Sequence, residues 1–170
     1  AYEKGALFRY LSKGISFVNK ADELVSQIPT QGKRVTYGLD PNVDFPADIY
    51  HEENGTLTLI LDTNVIKTGS YNLSFLKNCI AVSAISITLG IDWLTLEKKI
   101  KSFSAPPGRC FVKQINDITI IDDTYNANLA SSLAALDYLK AFSGNGRRIF
   151  VFGDMFELGE YSDQEHQKIV

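Results

Sequence analysis

Apolar positions change their spacing several times along the chain, and each change marks an element. Leu7, Phe8 and Leu11 recur at helical spacing, so residues 3–11 read as a helix, followed by a short strand at 16–18 and a second helix over 22–28. Residues 33–37, closing on Gly38, read as a strand, and Pro41 and Pro46 bracket a loop in which no regular structure is expected. From 48 to 67 the pattern is β: an apolar strand at 56–61, a turn at 62–64 and a return through Val65 and Ile66. After Gly69 a long apolar helix runs to Leu89 and stops at Gly90, a residue suited to the left-handed conformation that ends helices. A further amphipathic helix over 94–103 places Leu96, Ile100 and Phe103 on one side.

Ala105-Pro106-Pro107-Gly108 breaks this pattern, because neither a helix nor a central strand accepts two prolines and a glycine. Two bodies, 1–104 and 109–170, are therefore expected on either side of a hinge at 105–108. Beyond the hinge, 110–112 and 118–121 read as strands around a turn at Asn116-Asp117. Residues 129–142 form a helix with Leu133, Leu136 and Leu139 as its stripe, and Gly144-Asn145-Gly146 is a loop. Residues 148–152, continuously apolar after Arg148, read as a strand ending at Gly153-Asp154, and another helix begins near Ser162. This alternation of strand and helix argues for an α/β fold with a parallel sheet.

Length and charge narrow the class. The stretch 73–91 is long and apolar enough to raise the question of a membrane span. Lys77 and Asn78 inside it would be costly in lipid, so it reads as a helix buried in protein on most of its faces. Ten Phe and eight Tyr can fill a core, which excludes a disordered chain. A net charge of −3 with no basic run argues against nucleic acid as a partner. Cys79 and Cys110 form no disulfide framework and no metal spacing, which fits a cytoplasmic protein. Beginning at Ala1 with neither Met nor a signal-like segment, the chain reads as an internal piece of something longer.

Ligands of open α/β sheets gather at the carboxyl ends of strands. Two such ends are polar here. Asp122-Asp123-Thr124-Tyr125-Asn126-Ala127-Asn128 carries more polar groups than one helix cap requires, although Asn128 alone would serve as that cap. Asp122 and Asp123, adjacent at a strand end, are expected on opposite faces, so that one of them is left to cap local N–H groups or orient the loop. Gly153-Asp154-Met155 is the second and weaker signal. His51 and His166 have no partner at ligand spacing and are assigned no role.

These residues also carry a resemblance. The 122–128 run, the helix with Ser132-Leu133-Ala134-Ala135-Leu136, and residues 148–162 with His166 behind them resemble the C-terminal domain of the Mur ligase family. Upstream, residues 4–11, Phe17-Val18-Asn19 with Asp22, and Gly69-Ser70-Tyr71-Asn72 agree in order, with Tyr71 where the family has His. Five residues separate Asn72 from Asn78 where the family has two, and Leu129 stands where a proline is common.

The resemblance implies the second half of a Mur-ligase-type ATPase domain at 1–104, and the start of a Rossmann-like ligase domain at 109–170. It further implies an ATP-dependent ligase of peptidoglycan precursor synthesis, with UDP-N-acetylmuramoyl-tripeptide and D-alanyl-D-alanine as substrates and a monomeric full-length enzyme. A substrate carboxylate becomes an acyl phosphate, the amine attacks it and phosphate leaves. Asn72 would contact adenine, Arg109 and Asp123 the nucleotide, and Tyr125, Asn126 and Asn128 the dipeptide. No catalytic residue and no metal ligand is assigned, since Mg2+ ligands are expected outside the segment. No Gly-x-x-x-x-Gly-Lys-Ser/Thr phosphate loop occurs in these 170 residues, so the segment by itself is expected to be inactive. The alternative is a non-catalytic nucleotide- or partner-binding module of the same architecture.

Overall fold

The computed structural model describes residues 2–142, 144 and 146–169, so Asn145 of the expected loop lies outside it. The chain divides into two units, Ala1–Ser102 and Phe103–Val170. In the first unit, α1 (Tyr2–Tyr10) precedes β1 (Ile15–Asn19), α2 (Glu23–Ser26), β2 (Lys33–Gly38) and β3 (Phe45–His51). β4 (Leu57–Leu61), β5 (Asn64–Ser70), α3 (Leu73–Thr88) and α4 (Trp93–Lys101) complete it.

The five strands form one sheet in the order β1-β2-β3-β4-β5. β1, β2 and β3 run parallel, whereas β3–β4 and β4–β5 are antiparallel. The sheet is thus mixed rather than parallel, because short turns after β3 and β4 allow only antiparallel return. The segment expected to be an irregular loop between Pro41 and Pro46 also differs. β3 begins at Phe45, and it pairs with the end of β2 through Tyr37↔Phe45 and Gly38↔Pro46. Because β3 starts beside the end of β2, six residues suffice where a full crossover would need a dozen. Asp44 fixes that start. Its Oδ2 accepts from the Thr36 backbone N–H at 2.7 Å and from the Thr36 hydroxyl at 2.8 Å.

The core lies where β4 and β5 meet the two long helices. Leu57, Leu59, Leu61 and Ile66 pack with Leu76, Cys79 and Ile80 of α3 and with Leu96 and Ile100 of α4. Burial pushes the Cys79 thiol up to about 11, so it packs there as a neutral group. α3 was expected to be buried on most faces, but it buries a single stripe, Leu76, Cys79, Ile80, Ser83 and Ala84. Val82 and Ile85 remain 49% and 38% exposed. Among the described residues no helix is long and apolar enough to cross a membrane. Its ends follow the sequence signals, with Asn72 as N-cap and Gly90 at φ 87° beyond Leu89.

The second unit holds the hairpin β6 (Phe111–Ile115) and β7 (Ile118–Asp122), then α5 (Leu129–Ala141), a short 3-10 turn at Gly159–Tyr161 and α6 (Ser162–Gln167). Asn116 makes the tight hairpin turn at φ 50°, a conformation asparagine tolerates better than most residues. Residues 148–152 were expected to form a strand and do not: among the described residues none pairs with them, and Val151 is 90% exposed. A strand needs a ladder partner for its backbone groups, and apolar content alone does not supply one. Arg148 instead closes α5, its Nε donating to Leu139 O at 3.0 Å and its Nη2 to Phe142 O at 2.9 Å.

Acid should loosen this fold through identifiable groups. The Thr36 backbone N–H, then the Thr36 hydroxyl, hold the Asp44 carboxyl below the usual carboxylate range. The Thr95 N–H and hydroxyl do the same for Asp92 at the start of α4. A depressed carboxyl stabilises the fold above its unfolded pKa, about 3.9 for aspartate, and that contribution is lost as pH falls through the folded value. Urea midpoints are therefore expected to drop from pH 5 to pH 3. Asp44→Asn should show a smaller drop over the same interval.

Candidate functional site

Arg109 N–H donates to Pro106 O at 3.1 Å, closing a turn at the proline pair, and Gly108 sits at φ 77°. A Cβ at Gly108 would stand 3.3 Å from Tyr125 N and 3.4 Å from Tyr125 Cβ. That close approach lets the Tyr125 N–H donate to Gly108 O at 3.1 Å. The Arg109 guanidinium carbon then lies 3.7 Å from the centroid of the Tyr125 ring, a cation–π contact on an exposed surface. Cys110, at φ 52°, donates its N–H to Asp123 Oδ1 at 3.0 Å. Residues 106–110 and 122–125 thus form one corner, and three of the six candidate residues, Arg109, Asp123 and Tyr125, meet in it.

The adjacent aspartates take separate partners. Asp122 Oδ2 pairs with Lys113 Nζ at 3.0 Å, and Asp122 Oδ1 accepts from the Thr124 hydroxyl at 2.8 Å. Those two donors, the Thr124 hydroxyl first, hold its carboxyl below the usual range. The Asp123 carboxylate takes the Cys110 N–H at the strand end. The hairpin register explains this. Phe111 faces Asp122, so Cys110 is the residue that comes beside Asp123 where the ladder ends.

Asn126 turns its Oδ1 onto the Ala127 N–H at 2.9 Å, and Tyr125 is 69% exposed. Asn128 is the α5 N-cap: its Oδ1 accepts from Ser131 N–H at 2.9 Å, and Ser131 Oγ accepts from Asn128 N–H at 3.0 Å. This reciprocal box satisfies two helix-start donors, with Ser131 in the place usually held by Glu or Gln. Asn72 does the same work in the first unit, accepting from Phe75 N–H at 3.0 Å. An open groove of about 440 Å3 along α4, lined by Leu94, Glu97, Lys98, Lys101 and Ser102, includes none of these residues. Among the described residues no three His, Cys, Asp or Glu side chains gather as a metal site.

The weaker sequence signal proves structured. Met155 is 3% exposed, its Sδ 4.0 Å from Ser132 Oγ on α5, and its N–H donates to His166 Nε2 at 3.0 Å. His166, to which the sequence assigned nothing, also lies 2.7 Å from Asp154 Oδ1. Its partners are eleven and twelve positions away along the chain, beyond any local spacing rule. Only the fold brings them together.

The corner can be tested by stability alone. Gly108→Ala combines the cost of a positive φ, about 1–2 kcal/mol, with crowding of Tyr125. Asp123→Ala leaves the Cys110 N–H without its acceptor and should cost about 1–3 kcal/mol, whereas Asp123→Asn keeps an oxygen there and should cost less. Urea unfolding of the three variants checks the order.

Residues 108–170 match the family model described as Mur ligase, glutamate ligase domain. Over 82% of its length the chain is 35% identical to the UDP-N-acetylmuramoyl-tripeptide–D-alanyl-D-alanine ligase of Synechocystis sp., covering 29% of that protein. Over 98% it is 31% identical to the Haemophilus influenzae enzyme of the same name, covering 37% of it. Among solved structures, MurF from Acinetobacter baumannii superposes with a TM-score of 0.83 at 26% identity, over 98% of this chain and 38% of that one. MurF ligase from Thermotoga maritima, in complex with ADP, gives a TM-score of 0.75 at 26% identity, over 94% of this chain and 38% of that one. The chain therefore spans well under half the length of these relatives. At 35% identity over 82% of its length to such a ligase, the chain belongs to the Mur ligase family.

Proposed function

We propose that this protein acts in an ATP-dependent amide-forming ligase that joins D-alanyl-D-alanine to UDP-N-acetylmuramoyl-tripeptide, releasing ADP and phosphate. The observation that carries this reading is that similarity to relatives of that printed name runs through both units, covering 98% of the chain in one case. The ADP complex of the Thermotoga maritima relative supports the nucleotide. Residues 1–104 are read as part of the central ATP-binding domain, 105–108 as the hinge, and 109–170 as the start of the C-terminal domain.

In this reaction the substrate carboxylate attacks the γ-phosphorus and ADP leaves; the dipeptide amine then attacks the acyl carbon and phosphate leaves. Most of the rate in such transfers comes from holding the reactants in line and neutralising developing charge. Asp123 suits the ribose hydroxyls, because one carboxylate oxygen holds Cys110 N–H and the other can still accept. Arg109, flattened on Tyr125, presents guanidinium N–H groups to sugar or phosphate oxygens. Asn72 has its oxygen on Phe75 N–H, leaving its NH2 to donate to an adenine ring nitrogen. Tyr125, Asn126 and Asn128 offer an exposed polar face beside the α5 N-terminus, where the peptide dipoles favour an anionic group such as the dipeptide carboxylate.

Phosphate release by the full-length protein, with ATP, magnesium and both substrates, tests the activity. Omission of either substrate should remove the release, and ATP binding without turnover would favour the non-catalytic module. Asp123→Asn keeps the oxygen facing Cys110 and removes the charge. A charged hydrogen bond is worth roughly 1.5–3 kcal/mol. The Michaelis constant for ATP should accordingly rise about ten- to a hundredfold with little change in melting temperature. An unchanged constant would remove Asp123 from the nucleotide site.

A further inference from the structure

We propose that His166 is a proton-operated clamp on residues 153–155, exchanging the Met155 backbone for the Asp154 carboxylate as its ring gains a proton. The inference stands on geometry within the second unit and does not depend on the ligase reading.

Both ring nitrogens are engaged, and their partners cannot all be satisfied at once. Nδ1 lies 2.7 Å from Ser162 O, a carbonyl that can only accept, and 3.4 Å from the Ser162 hydroxyl; the shorter contact puts a hydrogen on Nδ1. Nε2 has two neighbours with opposite demands. The Met155 N–H, 3.0 Å away, needs a bare Nε2 with its lone pair. The Asp154 carboxylate oxygen, 2.7 Å away, needs a hydrogen between the two atoms. A neutral ring satisfies the first and an imidazolium the second. Protonation thus removes the acceptor of a buried residue's backbone N–H and supplies a donor to a carboxylate that is 65% exposed in its side chain.

Among the described residues, the 3-10 turn that packs against α6 carries one charge, Glu160, which is exposed. The Phe152 ring, its centroid 6.2 Å away, covers one side of the His166 ring. From α5 the contact arrives through Met155 and the uncharged Ser132. On α6 itself Glu165 is paired with Lys168 at 2.6 Å, and Asp163 is exposed to solvent. Asp154 is accordingly the ionised partner that discriminates between the two states.

Leverage comes from burial. Met155 is 3% exposed and its sulfur rests on Ser132, while the Ser132 N–H donates to Asn128 O at 2.9 Å. A change in the bond at Met155 N–H therefore acts on the start of α5, where Asn128 caps the helix. In the neutral state the Asp154 carboxylate is released from the ring, and an exposed carboxylate there suits a cationic group such as a ligand ammonium.

The chain contains one Met and two His, so a 15N-methionine label reports Met155 alone and a 15N-histidine label reports two rings. A His51→Gln chain assigns the remaining ring signals to His166. In a pH titration of the 170-residue chain, the neutral His166 ring should show Nδ1 protonated and Nε2 bare, with the Met155 amide proton at a hydrogen-bonded downfield position. As the ring takes its second proton, that position should be lost with the same midpoint, and the amide's protection from exchange, relative to an unstructured chain at the same pH, should fall. His166→Gln should abolish the pH step, and Asp154→Asn should leave the high-pH Met155 signal in place. A Met155 amide unmoved through the ring's titration would overturn the clamp, and so would a neutral ring protonated at Nε2.

Discussion

The second unit depends on its backbone polar groups finding partners at places where the chain cannot continue a ladder. At the mouth of the β6–β7 hairpin the strands end, yet Cys110 and Tyr125 still carry N–H groups near the corner. Asp123 takes the first and Gly108 O the second. A side chain at Gly108 would crowd the second of these bonds, its Cβ standing 3.3 Å from Tyr125 N and 3.4 Å from Tyr125 Cβ. The same two bonds place Arg109 on the Tyr125 ring, so the arrangement of the candidate site is a by-product of closing the hairpin.

α5 follows the same logic at both ends. A helix leaves donors unpaired at its start and acceptors at its finish. Asn128 with Ser131 serves the start, and Arg148 reaches back to Leu139 O and Phe142 O at the finish. The guanidinium that sequence reading placed at the head of a strand is therefore a helix cap. Residues 148–152 follow it without a ladder partner among the described residues, and Ile149 and Val151 stand 61% and 90% exposed. Periodicity reports that a segment is apolar all round. It does not report whether a neighbouring strand is present to accept it.

Much of the fold could be read from local signals. The caps at Asn72 and Asn128, the stop at Gly90 and the hairpin turn at Asn116 each follow from one or two residues with a known conformational preference. What was not legible depends on register. The parallel start of β3 rests on the reach of Asp44 to Thr36, eight residues back, and nothing local in Pro41 or Pro46 announces it. The partition of Asp122 and Asp123 depends on which residue of β6 faces which of β7. His166 is the furthest case, since its partners Asp154 and Met155 come to it across a non-helical segment and a turn. The family resemblance supplied residue identities at the site but not these pairings.

The candidate residues share a property that bears on how their roles are separated. Asp123, Asn72 and Asn128 each spend one side-chain oxygen on a backbone N–H of the fold, at 3.0, 3.0 and 2.9 Å. What remains for a ligand is the other end of each group: a second carboxylate oxygen on Asp123 and an NH2 on each asparagine. Truncation to alanine removes both ends together, so a loss of binding in such a variant says nothing about which end mattered. Exchange between Asp and Asn is different, because it keeps the fold-side oxygen and changes the ligand-side atom alone. At Asp123 that exchange removes a charge from the ligand side, and at Asn72 or Asn128 it replaces a donor with an anion. Both exchanges are then expected to weaken nucleotide binding if Asp123 accepts from a sugar while Asn72 donates to a base, and fold stability serves as the common control.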